Sequence, residues 1–207
     1  MQYSQLFTWI DMRFSRIRKV LSTKKVGIAG CGGLGSNCAI ALARTGIGKL
    51  VIADFDRITK SNLNRQYYYI DQIGQKKVFT LQDNLYFVND EVEVEAHDVR
   101  LGPNEIVSIY KDCDLIIEAF DLAEMKEMII ETVQEQMPEM PLIVGVGMAG
   151  WGNNNAIGTR HDGNLYICGD ETSGIGPNLP PLAPRVGIVA HMQANQALEI
   201  LLNKSEK

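Results

Sequence analysis

Apolar and polar positions alternate in two distinct ways along the first two-thirds of the chain. Some short runs are apolar throughout, and in one run apolar and polar residues strictly alternate. These runs predict strands at 25–30, 49–54, 91–96, 115–119 and 141–146. The stretches between them have helical periodicity and predict helices at 34–44, 75–89, 103–110 and 122–136. Strands that alternate with helices in this way indicate a parallel sheet with right-handed crossovers.

The final part of the chain follows a different pattern. Residues 155–168 predict a β-hairpin with its turn at Asp162-Gly163, and a loop rich in Gly and Pro over 170–184 precedes a last helix over 186–203. We therefore expect an α/β fold, a doubly wound and mainly parallel Rossmann-like sheet with a C-terminal antiparallel extension.

Length and composition favour one domain. A chain of 207 residues, 45% hydrophobic and 22% charged, suits a globular protein with one sizeable core. We expect one domain over 1–207 with three parts, namely a helical segment at 1–22, a Rossmann-like nucleotide-binding part at 23–147, and a hairpin, crossover loop and final helix at 148–207.

Several classes of protein are disfavoured by composition. No apolar run approaches the roughly 20 residues that cross a bilayer, and the N-terminus does not have the pattern of a signal peptide, so we expect a cytoplasmic protein without membrane contact. The formal net charge of -5 argues against a nucleic-acid partner. The cysteines form no CxxC pair, so we expect free thiols and no zinc.

A glycine-rich motif connects the first predicted strand to the first predicted helix after it. Its glycines, in the pattern G-x-G-x-x-G, are Gly30, Gly32, Gly33 and Gly35. Such a turn brings backbone N–H groups and a helix N-terminus close to a phosphate. The motif indicates a phosphate-bearing nucleotide, against the alternative of a purely structural turn. It does not say which nucleotide, because NAD and FAD enzymes use the same device.

A carboxylate follows the second predicted strand. Asp54 stands at its end, where it is placed to accept hydrogen bonds from ribose hydroxyls. The alternative is an ordinary turn residue. Asp54 does not distinguish ATP from NAD, since both contain an adenosine ribose.

The polar loop that follows distinguishes between these nucleotides. Asn62, Arg65 and Gln66 occur in it, and Lys77 comes soon after. A dinucleotide dehydrogenase has no need of an arginine and a lysine here, whereas a triphosphate is recognised by such cations. The alternative is a solvated loop, and one of the adjacent Lys76 and Lys77 is expected to be a surface residue.

Another carboxylate follows the predicted strand at 115–119. Asp121 is suited to hold Mg²⁺, which takes one or two carboxylates together with phosphates and water. The alternative is an N-cap for the following helix, and one residue can serve both purposes.

Taken together, these motifs resemble a known family. The segments are GCGGLGSN at 30–37, DFDRITKSNLNRQ at 54–66, GQKK at 74–77, EAFD at 118–121, NLYICGD at 164–170 and APRVGIVA at 183–190. Their order and spacing are similar to those of the ThiF/MoeB/HesA group, the bacterial relatives of ubiquitin-activating enzymes, and most of all to a short ThiF-like form.

The resemblance implies an adenylyltransferase that uses ATP and Mg²⁺. Its partner would be a ThiS-like sulfur carrier protein ending in Gly-Gly, whose carboxylate is adenylylated with release of pyrophosphate, in thiamine biosynthesis or, as the lesser alternative, in molybdopterin synthesis. By resemblance, Gly32, Gly33 and Gly35 line the phosphate loop and Asp54 binds ribose. Asn62, Arg65 and Gln66 surround the triphosphate, Lys77 contacts phosphate and Asp121 holds magnesium.

The resemblance also implies a homodimer in which an arginine from one subunit reaches the ATP of the other. Arg16 is the candidate here and Arg13 the second choice, although Arg16 lies only about nine residues before the first strand, fewer than in longer members. Some members carry the activated partner on a cysteine, for which Cys168 is the candidate. Its alternative role is a small core residue in a hairpin strand.

Three other hypotheses remain open at this point. A related ATP-dependent enzyme could act on a tRNA base, a nicotinamide- or flavin-binding Rossmann protein would share the glycine motif, and a binding-only relative would keep the fold without turnover. Arg65 and Lys77 disfavour the second of these, and with Asp121 they also disfavour the third.

Overall fold

A computed structural model describes residues 14–176 and 178–203. Arg13 and most of the predicted N-terminal helical segment lie outside these ranges, and the first described element is a helix, α1, at 14–21. The strands are β1 (Lys25–Ala29), β2 (Lys49–Ala53), β3 (Glu93–His97), β4 (Leu115–Glu118), β5 (Leu142–Val146), β6 (Gly158–Asp162) and β7 (Leu165–Gly169). The helices that follow α1 are α2 (Gly33–Thr45), α3 (Lys77–Tyr86), α4 (Pro103–Tyr110), α5 (Ala123–Gln136) and α6 (Ala183–Asn203).

In the described ranges the strands form one sheet in the order β3-β2-β1-β4-β5-β7-β6. The pairs from β3 to β7 are parallel, and β6 alone pairs antiparallel, with β7. The chain builds outward from β1 to β3 on one side and then from β4 on the other. Winding therefore reverses between β1 and β4, and ligands of such sheets bind at the carboxyl ends of the strands where this reversal occurs.

The core has two apolar layers, one on each face of the sheet. On one face, α2, α3 and α6 cover alternate strand residues such as Ile28 and Ile52, and on the other α4 and α5 cover Ala29 and Val51. Burial on both faces explains the nearly continuous apolar runs in the central strands. Tyr110 of α4 is fully buried, and its hydroxyl donates a hydrogen bond to the Ile28 carbonyl.

The predicted fold class is confirmed, with local corrections. The tight turn between β6 and β7 is at Gly163-Asn164, one residue later than predicted, and Gly163 has a φ of +55°. The antiparallel extension is limited to β6. Helix α5 has Leu122 as its N-cap without a side-chain hydrogen bond, so the N-cap role considered for Asp121 is wrong. No helix within the described ranges is long and apolar enough to span a membrane.

Candidate functional site

A cleft of about 910 Å³ opens at the reversal point of the sheet. Gly30 and Ala119, which follow β1 and β4, both line it, and an ideal Cβ on Gly30 would lie 2.9 Å from the Ala119 carbonyl oxygen. Loops after β2 and β3 form one wall. Residues near the N-terminus of α6, including Pro181 and Val186, close the other side.

The glycine turn positions the N-terminus of α2 at the floor of this cleft. Gly30 has a φ of +102°, a backbone conformation that residues with a side chain rarely adopt. The turn therefore depends on glycine at this position. An ideal Cβ on Gly35 would lie 1.9 Å from the Gly30 carbonyl oxygen, so α2 packs this closely only with glycine there. Gly32 is the N-cap of α2, and a Cβ on it would meet nothing nearer than Gln66 Nε2 at 3.7 Å. The space in front of the turn is therefore open to a ligand.

Asp54 is fixed at the end of β2 by two backbone donors. The N–H groups of Cys31 and Asp56 donate to its Oδ2 and Oδ1, each at 2.7 Å. Burial raises the pKa of Asp54, while Lys77 and the two backbone hydrogen bonds oppose that rise. Each carboxylate oxygen keeps a further lone pair for a ribose hydroxyl, and Asp54 lines the cleft.

The two adjacent lysines have different environments. Lys77 is buried, with a side chain 7% exposed, and its Nζ lies 2.7 Å from Asp56 Oδ2. Lys76 is more exposed and pairs with Asp98 at 2.9 Å. Lys76 is thus the surface lysine of the two. Lys77 does not line the cleft, but its ion-pair partner Asp56 does. The lysine is therefore connected to the cleft through this ion pair.

The polar loop after β2 contributes some of its predicted residues to the cleft. Arg65 and Gln66 line it, whereas Asn62 does not, because its Oδ1 accepts the Thr59 N–H at 3.0 Å and closes a short helical turn. Arg65 Nη1 donates to the Asn64 side chain at 2.8 Å. Gln66 is buried, and its Oε1 has no hydrogen-bond partner among the described residues. A buried amide oxygen without a partner is suited to a bound ligand.

Two carboxylates close together near the end of β4 differ in burial. Asp121 is exposed, lines the cleft and forms no hydrogen bond within the described part of the chain. Glu118 is fully buried, and Lys126 Nζ lies 2.9 and 2.8 Å from its Oε1 and Oε2. Burial raises the pKa of Glu118, and Lys126 opposes the rise. This ion pair was not predicted from the sequence.

The wall of the cleft formed by the loops after β2 and β3 contains a second feature that the sequence did not reveal. The Arg100 guanidinium carbon lies 5.8 Å from the centroid of the Phe55 ring, within the range of a cation–π contact. Val99, Leu101 and Met125 also line the cleft. Together they form an apolar slot that suits a flat aromatic base. Phe55 follows Asp54 directly, which was the available signal, but Arg100 comes from a different strand end.

Cys168 does not have the features of a reactive thiol. It is fully buried in β7, its Sγ lies 3.6 Å from Thr159 Oγ1, and burial raises its pKa. Burial also raises the pKa of Cys38, and the nearby Cys168 raises it further. Burial raises the pKa of Cys113 to about 12. Nucleophilic cysteines have lowered pKa values in electropositive surroundings. The core role is therefore the one that the structure supports.

The Arg16 side chain is exposed on α1 and forms no hydrogen bond or ion pair with a described residue. Its side chain is therefore free to contact another molecule. It does not line the cleft of its own chain.

The free carboxylate of Asp121 fits magnesium. Among the described residues, no three His, Cys, Asp or Glu side chains are arranged to hold a metal ion. Magnesium needs no such cage when substrate phosphates and water supply its other ligands. Asp121 and the glycine turn at Gly32 line the same cleft, as that arrangement requires.

Comparison with known proteins supports a common origin. The chain is 32% identical over 190 residues to the adenylyltransferase and sulfurtransferase MOCS3 of Caenorhabditis briggsae, covering 88% of this chain and 47% of that protein. It is 37% identical over 99 residues to ubiquitin-like modifier-activating enzyme 5 of the same organism, covering 48% of this chain and 24% of that one. The chain thus spans less than half of these curated relatives.

A solved structure shares the fold over nearly the whole chain. The E. coli tRNA N6-threonylcarbamoyladenosine dehydratase TcdA, in complex with AMP, has a TM-score of 0.84 at 19% identity, covering 93% of this chain and 91% of that one. The ThiF family matches residues 3–207, which is almost the complete sequence. The resemblance seen in the motifs is confirmed, and the chain belongs to the ThiF family.

Proposed function

We propose that this protein binds ATP and Mg²⁺ and adenylylates the C-terminal carboxylate of a small carrier protein ending in Gly-Gly. The observation that carries the proposal is that one cleft is lined by a glycine turn at a helix N-terminus, the fixed carboxylate of Asp54, the Arg65 cation and the free carboxylate of Asp121. The names of the relatives, an adenylyltransferase and sulfurtransferase and a modifier-activating enzyme, agree with it.

The cleft residues give an orientation for the nucleotide. The N-terminus of α2 would face the phosphates, Asp54 the ribose, and the apolar slot lined by Phe55, Leu101 and Met125 the base. Arg65 would contact the triphosphate from the loop. Lys77 would supply positive charge close to the same site, held in place by Asp56. Asn62 would support this loop through its hydrogen bond to Thr59.

The reaction is an attack by one anion on another. A carboxylate oxygen of the carrier forms a bond to the α-phosphorus, the bond to the bridging oxygen of the β-phosphate breaks, and pyrophosphate leaves with that electron pair. Repulsion between the anions has to be reduced, which is the role we assign to Arg65 and Lys77. Asp121 would hold the metal, and Mg²⁺, when bound, would neutralise charge on the phosphates. No side chain is required as a nucleophile.

We further propose a homodimer in which Arg16 completes the cleft of the partner. Arg16 is exposed and unengaged by described residues of its own chain, as a donated arginine has to be before assembly. The partner we favour is a ThiS-like sulfur carrier in thiamine biosynthesis, with a molybdopterin-type carrier as the alternative. The motifs of the short ThiF-like form support this choice.

A tRNA acceptor is the second candidate. The likeness in fold to TcdA, which is by name a tRNA-modifying dehydratase, is the observation that favours it. The formal net charge of -5 argues against a nucleic-acid surface.

ATP–pyrophosphate exchange tests the proposal directly. The enzyme is incubated with ATP, Mg²⁺ and labelled pyrophosphate, with a ThiS-like carrier, with the same carrier lacking its terminal Gly-Gly, and with a molybdopterin-type carrier. Exchange that requires the intact carrier tail supports the proposed reaction and identifies the carrier class. ATP binding without exchange for any carrier would contradict the proposed reaction. The same assay would then be repeated with tRNA as the acceptor.

A further inference from the structure

The last residue of β4 is an acid buried without any exposure to solvent. Glu118 has both carboxylate oxygens within 2.9 Å of Lys126 Nζ, which also donates to the Gly145 carbonyl at 2.9 Å. A buried carboxylate is costly unless it is paired and hydrogen-bonded. The pair therefore needs an explanation beyond simple packing.

Glu118 also holds the backbone of the segment that lines the cleft. The Phe120 N–H donates to its Oε1 at 2.6 Å, and the Ala119 N–H donates to the Ala29 carbonyl at 2.9 Å. Consecutive N–H groups are thus fixed immediately before Asp121. Phe120 and Asp121 both line the cleft, so this tether determines where the Asp121 side chain begins.

A third element fixes the same strand end from the other face of the sheet. Gln193 of α6 is fully buried, and its Nε2 donates to the backbone carbonyl of Glu118 at 2.9 Å and to that of Ile143 at 3.3 Å. The backbone of Glu118 is therefore held by α6, while its side chain is held by Lys126 from α5. Among the side chains of 118–121, the Asp121 carboxylate is the one polar group without a hydrogen-bond partner in the described part of the chain.

We infer that Glu118 is a positioning residue, which fixes the Phe120 N–H and thereby directs the Asp121 carboxylate toward the metal and the phosphates. Lys126 keeps Glu118 in place as a hydrogen-bond acceptor. The metal half of this inference rests on the proposed function, whereas the tether to Phe120 does not. Groups that orient a metal ligand typically contribute about 10- to 100-fold to metal affinity.

Two double variants separate the tether from the ion pair. Glu118→Gln/Lys126→Met removes both charges and keeps an acceptor for the Phe120 N–H. Glu118→Met/Lys126→Met removes the charges and the acceptor. Both lose the contact between Lys126 and Gly145 equally, and apolar replacement of a buried pair is often tolerated. The difference between them therefore reports on the acceptor at position 118, which the backbone N–H groups of Phe120 and Gly145 share, and exchange at Phe120 measures the tether itself.

The readouts are amide hydrogen exchange at Phe120, compared with global unfolding, and binding of Mn²⁺ in the presence of ATP. In the Met/Met variant we expect Phe120 exchange about tenfold faster, and Mn²⁺ binding about tenfold weaker, than in the Gln/Met variant. Equal exchange in the two variants overturns the tether. Faster exchange with unchanged Mn²⁺ binding overturns the positioning role.

Failure of the proposed function has a separate signature. If the parent protein does not bind Mn²⁺ with ATP, that function and the metal half of the inference both fail, while Phe120 exchange still decides the tether. If the Met/Met variant does not fold, Phe120→Pro and Phe120→Ala make the same comparison. Both remove the ring, and only proline removes the N–H group. Equal Mn²⁺ binding by these two would overturn the inference.

Discussion

The ends of β2 and β4 are alike in composition and differ in how their acids are engaged. Each strand end carries a pair of carboxylates near a lysine, Asp54 and Asp56 with Lys77 in one case, and Glu118 and Asp121 with Lys126 in the other. At β2 both acids are engaged, Asp54 by backbone N–H groups and Asp56 by the buried lysine. At β4 the lysine engages only the buried acid, and Asp121 remains free within the described part of the chain.

The difference shows what makes an acid available for a metal. A carboxylate that already accepts strong hydrogen bonds has part of its charge neutralised and fewer lone pairs left for a cation. The β2 end is therefore suited to fixed recognition of a neutral group such as ribose. The β4 end presents an acid, Asp121, that has no partner among described residues to lose. Groups that the protein leaves unengaged are accordingly the ones that we expect to act.

The largest effect is expected at the free acid. Replacing Asp121 with alanine is expected to reduce ATP–pyrophosphate exchange by about 100- to 1,000-fold and to leave the fold intact, because an exposed side chain without hydrogen bonds is removed. Glu124→Ala is the matched control, since Glu124 is an exposed acid in the first turn of α5 that does not line the cleft. If the Asp121→Ala variant retained full exchange, the proposal that Asp121 holds Mg²⁺ would be contradicted.

A smaller effect is expected at Arg16, the free cation. Arg16→Ala is expected to lower exchange by about 10- to 100-fold through loss of charge at the partner's cleft. Mixing it with Asp121→Ala subunits is expected to restore roughly half of the wild-type activity per mixed dimer, since one of the two clefts is then complete. A purified mixed dimer without any recovery would count against donation between subunits.

The next prediction concerns the engaged cation. Lys77→Met is expected to weaken ATP binding about tenfold and to destabilise the fold by about 1–3 kcal/mol, less than for a fully buried pair because Asp56 is half-exposed. Lys76→Met is the matched control and is expected to change the free energy of unfolding by less than about 1 kcal/mol. Titration calorimetry and urea unfolding provide the two measurements. Similar losses in both variants would mean that Lys77 is no more important than its exposed neighbour.

The smallest effect is expected at Cys168. Cys168→Ala is expected to keep consumption of the adenylylated carrier within about twofold, because a buried thiol with a raised pKa is a poor nucleophile. Alkylation of the native protein, followed by mass spectrometry, is expected to leave Cys168 unmodified until the protein unfolds. Rapid labelling of Cys168, together with loss of transfer of the activated carrier, would support the alternative that Cys168 holds the carrier covalently.

The sequence predicted the fold and one side of the cleft because those features are local. A strand, a glycine turn and a helix occur together at Gly30–Gly35, and Asp54 directly follows the next strand. The packing of Gly35 against Gly30 follows from the same pattern. Local pattern also placed α4 within its observed bounds.

The remaining features depend on contacts between distant parts of the chain. Phe55 and Arg100 meet only because the loops after β2 and β3 are neighbours, and Gln193 reaches Glu118 from the last helix. The roles of Lys76 and Lys77 depend on where α3 begins, and helix boundaries are poorly determined by pattern. Glu118 appeared in the family motif, but its burial could not be inferred without the position of Lys126.

The reversal of winding between β1 and β4 also has a consequence for the order of assembly during synthesis. The Lys25 N–H donates to the Asp114 side chain, 89 positions later in the chain, and Gly30 is in contact with Ala119. Contacts between such distant segments form slowly, and chains leave the ribosome N-terminus first. A nascent chain that ends before β4 already contains the glycine turn but has no opposite wall to complete a cleft. Nucleotide binding is therefore expected to begin only after Asp121 has emerged.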